Sequence, residues 1–157
     1  MKRNKVYLKN IGKEDKGALL LWLEDIDVVK FLIDMFKVSR GDENVLNIPF
    51  GKNRKVFIIQ TDKKINIGFC GIYNIDWQLK KCTMYIYIDN SKKINDDYVC
   101  DITNKIFKGK FMSETKFKII EVRTKENRFI EYFENINNIW KDENDFVFEV
   151  GIDDKTG

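Results

Sequence analysis

The sequence contains no histidine, a single proline and only three cysteines. The absence of histidine excludes Ser-His-Asp catalysis, Cys-His catalysis and every histidine-ligated metal. The cysteines Cys70, Cys82 and Cys100 are odd in number and scattered, and no CxxC spacing occurs. Neither a disulfide framework nor a cysteine zinc site is therefore expected. Such thiols are typical of a reducing compartment, and we predict a cytoplasmic protein.

Long apolar runs and a basic stripe are missing as well. No apolar stretch approaches the length that spans a bilayer, and the chain enters a strand pattern at Val6 without a signal-peptide hydrophobic region. The 28 basic and 25 acidic residues are well mixed and give a net charge of only +3. Proteins dedicated to nucleic-acid binding usually cluster their positive charge. We therefore expect neither a membrane nor a nucleic acid as a partner.

The sequence does carry enough apolar residues for a packed core. Its 157 residues are 43% hydrophobic and 13% aromatic, and no repeat, linker or low-complexity tract interrupts them. A chain of this length and composition is typical of one globular unit. We predict a single soluble domain over residues 1–157.

Hydrophobic spacing along the chain predicts the order β-α-α-β-β-β-α-β-α-β. The predicted strands are 6–8, 55–61, 65–73, 81–89, 117–124 and 145–152, and the predicted helices are 13–23, 27–33, 95–108 and 127–135. Residues 37–51 are rich in turn formers and are expected to form a loop. A strand meander followed by a βαβ unit gives a mixed sheet with helices on both faces. The sequence thus predicts an α/β domain.

Two segments carry a resemblance to a known family. Between Trp22 and Phe31 the chain shows the pattern W-x-x-D-x-x-V-x-x-F. Residues 57–89 contain I-G-x-x-G-I-Y-N-I-D-W and then Y-I-Y-I. Both patterns resemble the GNAT superfamily of N-acetyltransferases, in particular its ribosomal-protein-acetyltransferase branch. The resemblance implies a GNAT-like α/β (α+β mixed) fold, with a central mixed, mostly antiparallel sheet of about six to seven strands and helices on both faces.

The resemblance also implies a cofactor, a reaction and partners. Acetyl-CoA would lie in a V-shaped opening between two parallel strands, here 83–89 and 117–124, and its acetyl group would pass to a primary amine of a small molecule or a protein. The implied cofactor-binding residues are Tyr87, Ile88, Asp89, Lys93, Tyr98 and Asn127. The implied acceptor-binding residues are Trp22, Phe31, Trp77 and Tyr85. The chain would act as a monomer or homodimer.

The loop that should cradle the diphosphate departs from the family pattern. The family signature is Q/R-x-x-G-x-G/A, but the stretch from Ser91 to Val99 contains no glycine, and Asp97 and Val99 stand at the two glycine positions. A carboxylate about 4 Å from a phosphate charge would be repelled by roughly 4 kcal/mol at an effective dielectric constant near 20. The alternative interpretation is that Asp96 or Asp97 is simply the N-cap of the following helix.

The helix expected to carry the general acid departs too. Residues 126–134 resemble the family motif N-x-x-A-I-x-L-Y-E, whose tyrosine protonates the leaving thiolate. The best register puts Phe133, which has no proton to give, on that tyrosine, and a shift of one residue puts Tyr132 there and Asn127 on the motif asparagine. Tyr132 is therefore the candidate general acid. The alternative is that Tyr132 is a packing aromatic, as Trp22 and Trp77 would be if they only packed against helices.

The position of the family's amine-activating carboxylate falls on Thr83, which leaves Glu121 and Asp89 as candidate carboxylates. These departures support a second hypothesis for the whole chain. It would keep the GNAT fold as a catalytically inactive binding or regulatory module, with lost or weakened CoA binding.

Overall fold

The computed structural model describes residues 5–10, 17, 21, 22, 24, 28, 56–108, 117–142 and 145–152. Of the two helices predicted before residue 34, Gly17, Leu21, Trp22 and Val28 are described and are helical. Phe31 and the loop predicted over 37–51 lie outside the described residues.

The described residues form a seven-stranded sheet. Its strands are β1 (Val6–Asn10), β2 (Val56–Thr61), β3 (Asn66–Asp76), β4 (Lys81–Ile88), β5 (Ile119–Thr124), β6 (Ile136–Asp142) and β7 (Asp145–Gly151). A 3-10 turn, Asn90–Lys92, precedes helix α1 (Asp96–Lys108), and a single-turn helix α2 (Phe129–Tyr132) follows β5. Within the described ranges, no helix combines the length and the apolar character that crossing a membrane requires.

The order of strands across the sheet is β1-β2-β3-β4-β5-β7-β6. All neighbouring strands are antiparallel except β4 and β5, which run parallel. A parallel pair needs a crossover connection, and α1 lies within that connection. This topology confirms the predicted mixed, mostly antiparallel sheet of six to seven strands.

One face of the sheet packs against α1 to form the main core. Residues of β4 alternate between the two faces, so that Cys82, Met84 and Ile86 join this core. From α1, Val99, Ile102 and Ile106 reach the same cluster at helical spacing, and each is at most 1% exposed. Fully burying an aliphatic side chain of this size contributes roughly 1.5 to 3 kcal/mol. The predicted helix over 95–108 thus packs the face that its spacing indicated.

The opposite face carries an aromatic cluster, which we define as Trp22, Phe69, Tyr85 and Tyr87. The ring of Phe69 lies at the centre, with ring centroids 5.7 Å from Trp22, 5.3 Å from Tyr87 and 6.3 Å from Tyr85. All four side chains are buried. The cluster packs Trp22 directly against β3 and β4.

The predicted helix over 127–135 is wrong in length. Helix α2 spans only Phe129–Tyr132, and the chain then turns into β6, a strand that the sequence analysis did not predict. Phe133 is extended (φ −83°, ψ 137°), and Asn135 adopts a left-handed conformation with φ 60°. Asparagine tolerates this conformation better than most residues, so the chain can reverse direction there.

Helix α1 also covers the outer edge of β1. The carboxylate of Asp101 accepts a hydrogen bond from the Val6 amide at 2.8 Å, although the two residues are 95 positions apart in sequence. An edge strand normally leaves such amides available to other chains. Here a side chain of the same molecule occupies one of them.

Candidate functional site

The ladder between β4 and β5 ends before β4 does, and we call the side of β4 that is left without a partner strand the opening. Their parallel register runs from Lys81 opposite Ile119 to Ile86 opposite Thr124 and stops there, whereas β4 continues through Ile88. On its other side β4 stays paired with β3, and the Asp89 amide donates to the Ile67 carbonyl of β3 at 2.8 Å. The hydrogen-bonding groups of a strand alternate between its two neighbours. The main-chain groups of Ile88 therefore face the side on which the ladder has ended.

Gly68 of β3 fixes the end of β4 in place. A Cβ atom at Gly68 would overlap the carbonyl oxygen of Tyr87 and lie 3.1 Å from the Cα atom of Ile88. The register between β2 and β3 shifts close by, which is typical of a bulge. A glycine inside a strand often marks such a close approach of two backbones. The opening therefore depends on a residue without a side chain.

Asp89 closes β4 and holds two neighbouring groups. Its Oδ2 atom accepts from Trp22 Nε1 at 3.0 Å, and its Oδ1 atom accepts from the amide and the hydroxyl of Ser91 at 3.0 and 2.8 Å. Partial burial acts to raise the pKa of Asp89, but the hydrogen bonds from Ser91 and Trp22 and the charge of Lys92 outweigh it and lower the pKa. Asp89 is therefore an ionised residue that connects Trp22 to the end of β4.

The predicted acceptor residues are only partly brought together. Trp22 and Tyr85 both contact Phe69 in the aromatic cluster. Trp77 lies in the β3–β4 turn, at the opposite end of β4 from Ile88, and is 67% exposed. Its ring stacks on Phe117 with centroids 5.7 Å apart.

The segment that follows β4 forms what we call the α1 corner, the 3-10 turn over Asn90–Lys92 together with Lys93 to Tyr98. Lys93 is exposed and left-handed (φ 37°, ψ 66°). The side-chain oxygen of Asn95 accepts from the Tyr98 amide at 3.2 Å, so Asn95 is the N-cap of α1. The interpretation of Asp96 or Asp97 as the N-cap is wrong, because both lie inside the first turn.

An ion-pair network, which we call the Arg128 cluster, borders the α1 corner. Arg128 binds Glu126 through two parallel hydrogen bonds of 2.9 and 3.1 Å, and its Nη1 atom donates to the Ile94 carbonyl and to Asp96 Oδ1, both at 3.0 Å. The hydrogen bonds from Arg128 lower the pKa of Glu126, and those of Glu126 and Asp96 raise the pKa of Arg128. The cluster ties the segment before α2 to the start of α1.

Arg128 was not predicted as a site residue, although the composition of the chain contains a signal for it. Only five of the 28 basic residues are arginine. The guanidinium group binds a carboxylate in a planar two-point geometry that lysine cannot reproduce. An arginine in a chain that otherwise uses lysine therefore indicates a position where that geometry matters.

We expect the Arg128 cluster to make stability depend on pH. Because the pKa of Glu126 is lowered from 4.5 in the folded protein, its contribution is present above about pH 4.5 and is lost as the pH falls through the folded value. Arg128→Gln should lower the free energy of unfolding by roughly 1 kcal/mol at pH 7, since both side chains are partly exposed. Urea unfolding from pH 7 to pH 3 should show this difference shrinking. The exposed control Lys118→Gln should track the unmodified protein, and an Arg128→Gln deficit that persists undiminished at pH 3 would contradict the assignment.

Tyr132 and Phe133 occupy different environments. Tyr132 is half-buried and lines a cavity of about 420 Å³ with Asp97, Cys100 and Lys5. Burial, then the nearby charge of Asp96, raises the pKa of Tyr132, so its phenol keeps its proton at neutral pH. Phe133 is 6% exposed and packs in the core between two other phenylalanine rings. Tyr132 is thus the member of this pair that has both a proton to donate and access to a cavity.

Asn127 lies in the turn between β5 and α2. Its side chain is exposed, and its carbonyl accepts from the Ile130 amide at 3.1 Å. Its role in cofactor binding stays a prediction.

The buried thiols and the Thr83–Glu121 pair limit the reactions that the site could catalyse. Burial raises the pKa of the Cys70 and Cys82 thiols to about 12, so neither is a thiolate nucleophile at neutral pH. Thr83 donates to Glu121 at 3.2 Å, so the position expected for the activating carboxylate carries a hydroxyl bound to a carboxylate of the next strand. Among the residues that the structure describes, no group of three or more carboxylates and thiols is arranged to hold a metal ion.

No family model matches the sequence, and no characterised protein matches it significantly in sequence. Solved structures do match. A domain from Methanocaldococcus jannaschii is 18% identical, with coverage of 95% of this chain and 99% of that one and a TM-score of 0.63. The apo form of FdhC, a nucleotide-linked sugar GNAT, is 17% identical, with coverage of 96% and 89% and a TM-score of 0.61.

A third match is the spermidine N-acetyltransferase from Vibrio cholerae in complex with CoA and spermine. It is 10% identical, with coverage of 92% of this chain and 93% of that one and a TM-score of 0.59. At such identities a likeness concerns the fold alone. Together with the sheet order and the parallel pair β4–β5, it shows that this chain has the fold of the GNAT superfamily of acetyltransferases.

Proposed function

We propose that the protein transfers an acetyl group from a CoA-type thioester to a primary amine. The observation that carries the proposal is the end of the β4–β5 ladder, where β4 continues past Ile86 and leaves the main-chain groups of Ile88 facing the opening. The arm of the thioester would lie in this opening. Proteins of the same fold act on spermidine and on a nucleotide-linked sugar by name, and an amine acceptor is proposed here by analogy with them.

The proposed reaction uses main-chain groups at the end of β4 and the phenol of Tyr132 on α2. The main-chain groups of Ile88 hold and orient the thioester arm, and Gly68 allows the close packing of β3 that positions this strand end. The amine nitrogen bonds to the carbonyl carbon, the carbon–sulfur bond breaks, and the amine releases a proton to solvent. Tyr132 supplies a proton to the departing sulfur. Catalysis of this kind depends on positioning and on one well-placed acid, and it does not require histidine.

The test combines binding and turnover. Titration calorimetry should detect acetyl-CoA, and a panel of primary amines should include at least one that releases free thiol. Tyr132→Phe should lower turnover about a hundredfold without weakening thioester binding, since the phenol acts on the leaving group alone. The exposed Tyr7 of β1 provides the control, and Tyr7→Phe should leave both quantities unchanged. Absence of both binding and thiol release would reject the function.

A second candidate function is favoured by the Arg128 cluster and by the acidic first turn of α1. These features occupy the corner at which a GNAT fold would be expected to hold a diphosphate. The chain would then be a non-catalytic binding or regulatory module. Thioester turnover above the Tyr132→Phe background would eliminate this alternative.

A further inference from the structure

Resting on the proposed acyl transfer, we propose that the donor is recognised through its pantetheine arm alone. The diphosphate and adenosine of CoA would add no affinity at the α1 corner. The donor class is therefore any acyl-pantetheine thioester, whether the arm belongs to CoA or is presented without the nucleotide. Four observations on the α1 corner and the opening carry this inference.

The first observation is the charge on the first turn of α1. Asp96 and Asp97 occupy it, and Asp96 is 67% exposed. A helix N-terminus attracts anions because its amides and its dipole are positive there. The carboxylates of Asp96 and Asp97 already supply negative charge at this helix N-terminus. They repel a diphosphate that approaches the same amides.

The second observation concerns the amides themselves. A phosphate cradle needs several free N–H groups on bare backbone. In the α1 corner the Tyr98 amide is bound by the Asn95 side chain, the Ser91 amide by Asp89 Oδ1, and the Lys92 amide by the Asp89 carbonyl at 3.0 Å. Three main-chain donors of the α1 corner are thus engaged within the protein.

The third observation is that the nearest strong cation is neutralised. The four hydrogen bonds of Arg128 to Glu126, Asp96 and the Ile94 carbonyl match its charge with two carboxylates. Lys92 and Lys93 remain as exposed point charges, but Asp89 and Asp97 offset them. When Asp89 is counted with Asp101 and Lys5, which line the cavity beside Asp97, the corner and its cluster carry five carboxylates and four basic groups.

The fourth observation is that the groups expected to bind the pantetheine arm are present at the opening. Ile88 presents its main-chain groups to the opening, and Gly68 holds the strand end in place. None of the acidic groups of the α1 corner is required for that contact. The groups that would bind the pantetheine arm are therefore distinct from the α1 corner, whose carboxylates would oppose the binding of a diphosphate.

The first experiment compares two donors on the full chain. Calorimetry should show that acetyl-CoA binds no more tightly than acetyl-pantetheine, and up to about tenfold more weakly because the corner repels the diphosphate. A preference for acetyl-CoA above thirtyfold would overturn this inference and leave the acyl-transfer function standing. Absence of binding by both compounds would overturn both proposals.

The sign of the salt dependence gives an independent readout. An acidic corner repels CoA, and added salt screens that repulsion. Raising ionic strength from about 20 to 300 mM should therefore tighten acetyl-CoA binding several-fold and leave acetyl-pantetheine unchanged. Weaker acetyl-CoA binding at high salt, which a cationic phosphate site would produce, would contradict the proposal.

A charge-removing variant completes the test. Asp97→Asn keeps the shape of the side chain and should tighten acetyl-CoA binding about tenfold without altering acetyl-pantetheine binding. Glu134→Gln, at an exposed carboxylate beyond α2, changes net charge equally and should affect neither donor. Equal effects of the two variants on acetyl-CoA would mean that overall charge, and not the α1 corner, governs binding, and would overturn the inference.

Discussion

Gly68→Ala is expected to lower the free energy of unfolding by about 3 kcal/mol, because a single added carbon would overlap the carbonyl oxygen of Tyr87. Backbone atoms cannot rotate away as the end of a flexible side chain can. The strands β3 and β4 must therefore move apart near Ile88. Urea unfolding monitored by circular dichroism would measure the loss.

Gly17→Ala is the matched control. Gly17 is helical and exposed, and a Cβ atom there would meet nothing within 4 Å. Alanine stabilises helices relative to glycine by up to about 1 kcal/mol, so this variant should be neutral or more stable. The same substitution would then have opposite effects at two sites.

Thioester binding gives Gly68→Ala a second readout. Under conditions where the variant remains folded, its affinity for acetyl-pantetheine should fall at least tenfold, because the displaced strand end holds the arm. A variant of normal stability and normal affinity would show that Gly68 does not fix the opening.

Trp22→Ala should cost about 4 kcal/mol of stability, which is typical of removing a large buried aromatic side chain. Trp22 is 4% exposed, contacts Phe69 and Tyr87, and donates its indole N–H to Asp89. Trp22→Phe retains much of the packing but removes that donor, and should cost about 1 to 2 kcal/mol. The difference between the two variants separates packing from the hydrogen bond.

Trp77→Phe serves as the control for Trp22→Phe. Trp77 is 67% exposed and retains its stacking partner Phe117 when a smaller ring replaces the indole. The free energy of unfolding of the Trp77→Phe variant should differ from that of the unmodified protein by less than about 0.5 kcal/mol. If Trp22→Phe were equally mild, the Trp22–Asp89 hydrogen bond would not contribute to stability.

The sequence predicted the centre of the fold well, because its periodicity there is strong. The strand predicted over 81–89 is Lys81–Ile88, and the helix predicted over 95–108 is Asp96–Lys108. Strand β6 was missed for a physical reason. Its residues after Ile136 are exposed on both faces, so no alternation of apolar and polar side chains marks it.

Only those parts of the candidate site that are formed by residues close together in the sequence could be predicted. The acidic first turn of α1 follows directly from Asp96 and Asp97 in the sequence. The Arg128 cluster could not be predicted, because Asp96 and Arg128 lie 32 positions apart and meet only through tertiary packing. The close approach of Gly68 to β4 likewise could not be predicted, because it depends on the pairing of two strands whose contacting residues, Gly68 and Tyr87, are distant in sequence.

The hydrogen bond between Val6 and Asp101 has a consequence for biosynthesis. A ribosome adding about 5 to 20 residues per second needs roughly 5 to 20 s to pass from one residue to the other. Strand β1 leaves the ribosome early and must wait for β2 and then for α1 before its last partner exists. Strand β1 can therefore pair with β2 first, and the hydrogen bond that closes its outer edge forms later on the nascent chain.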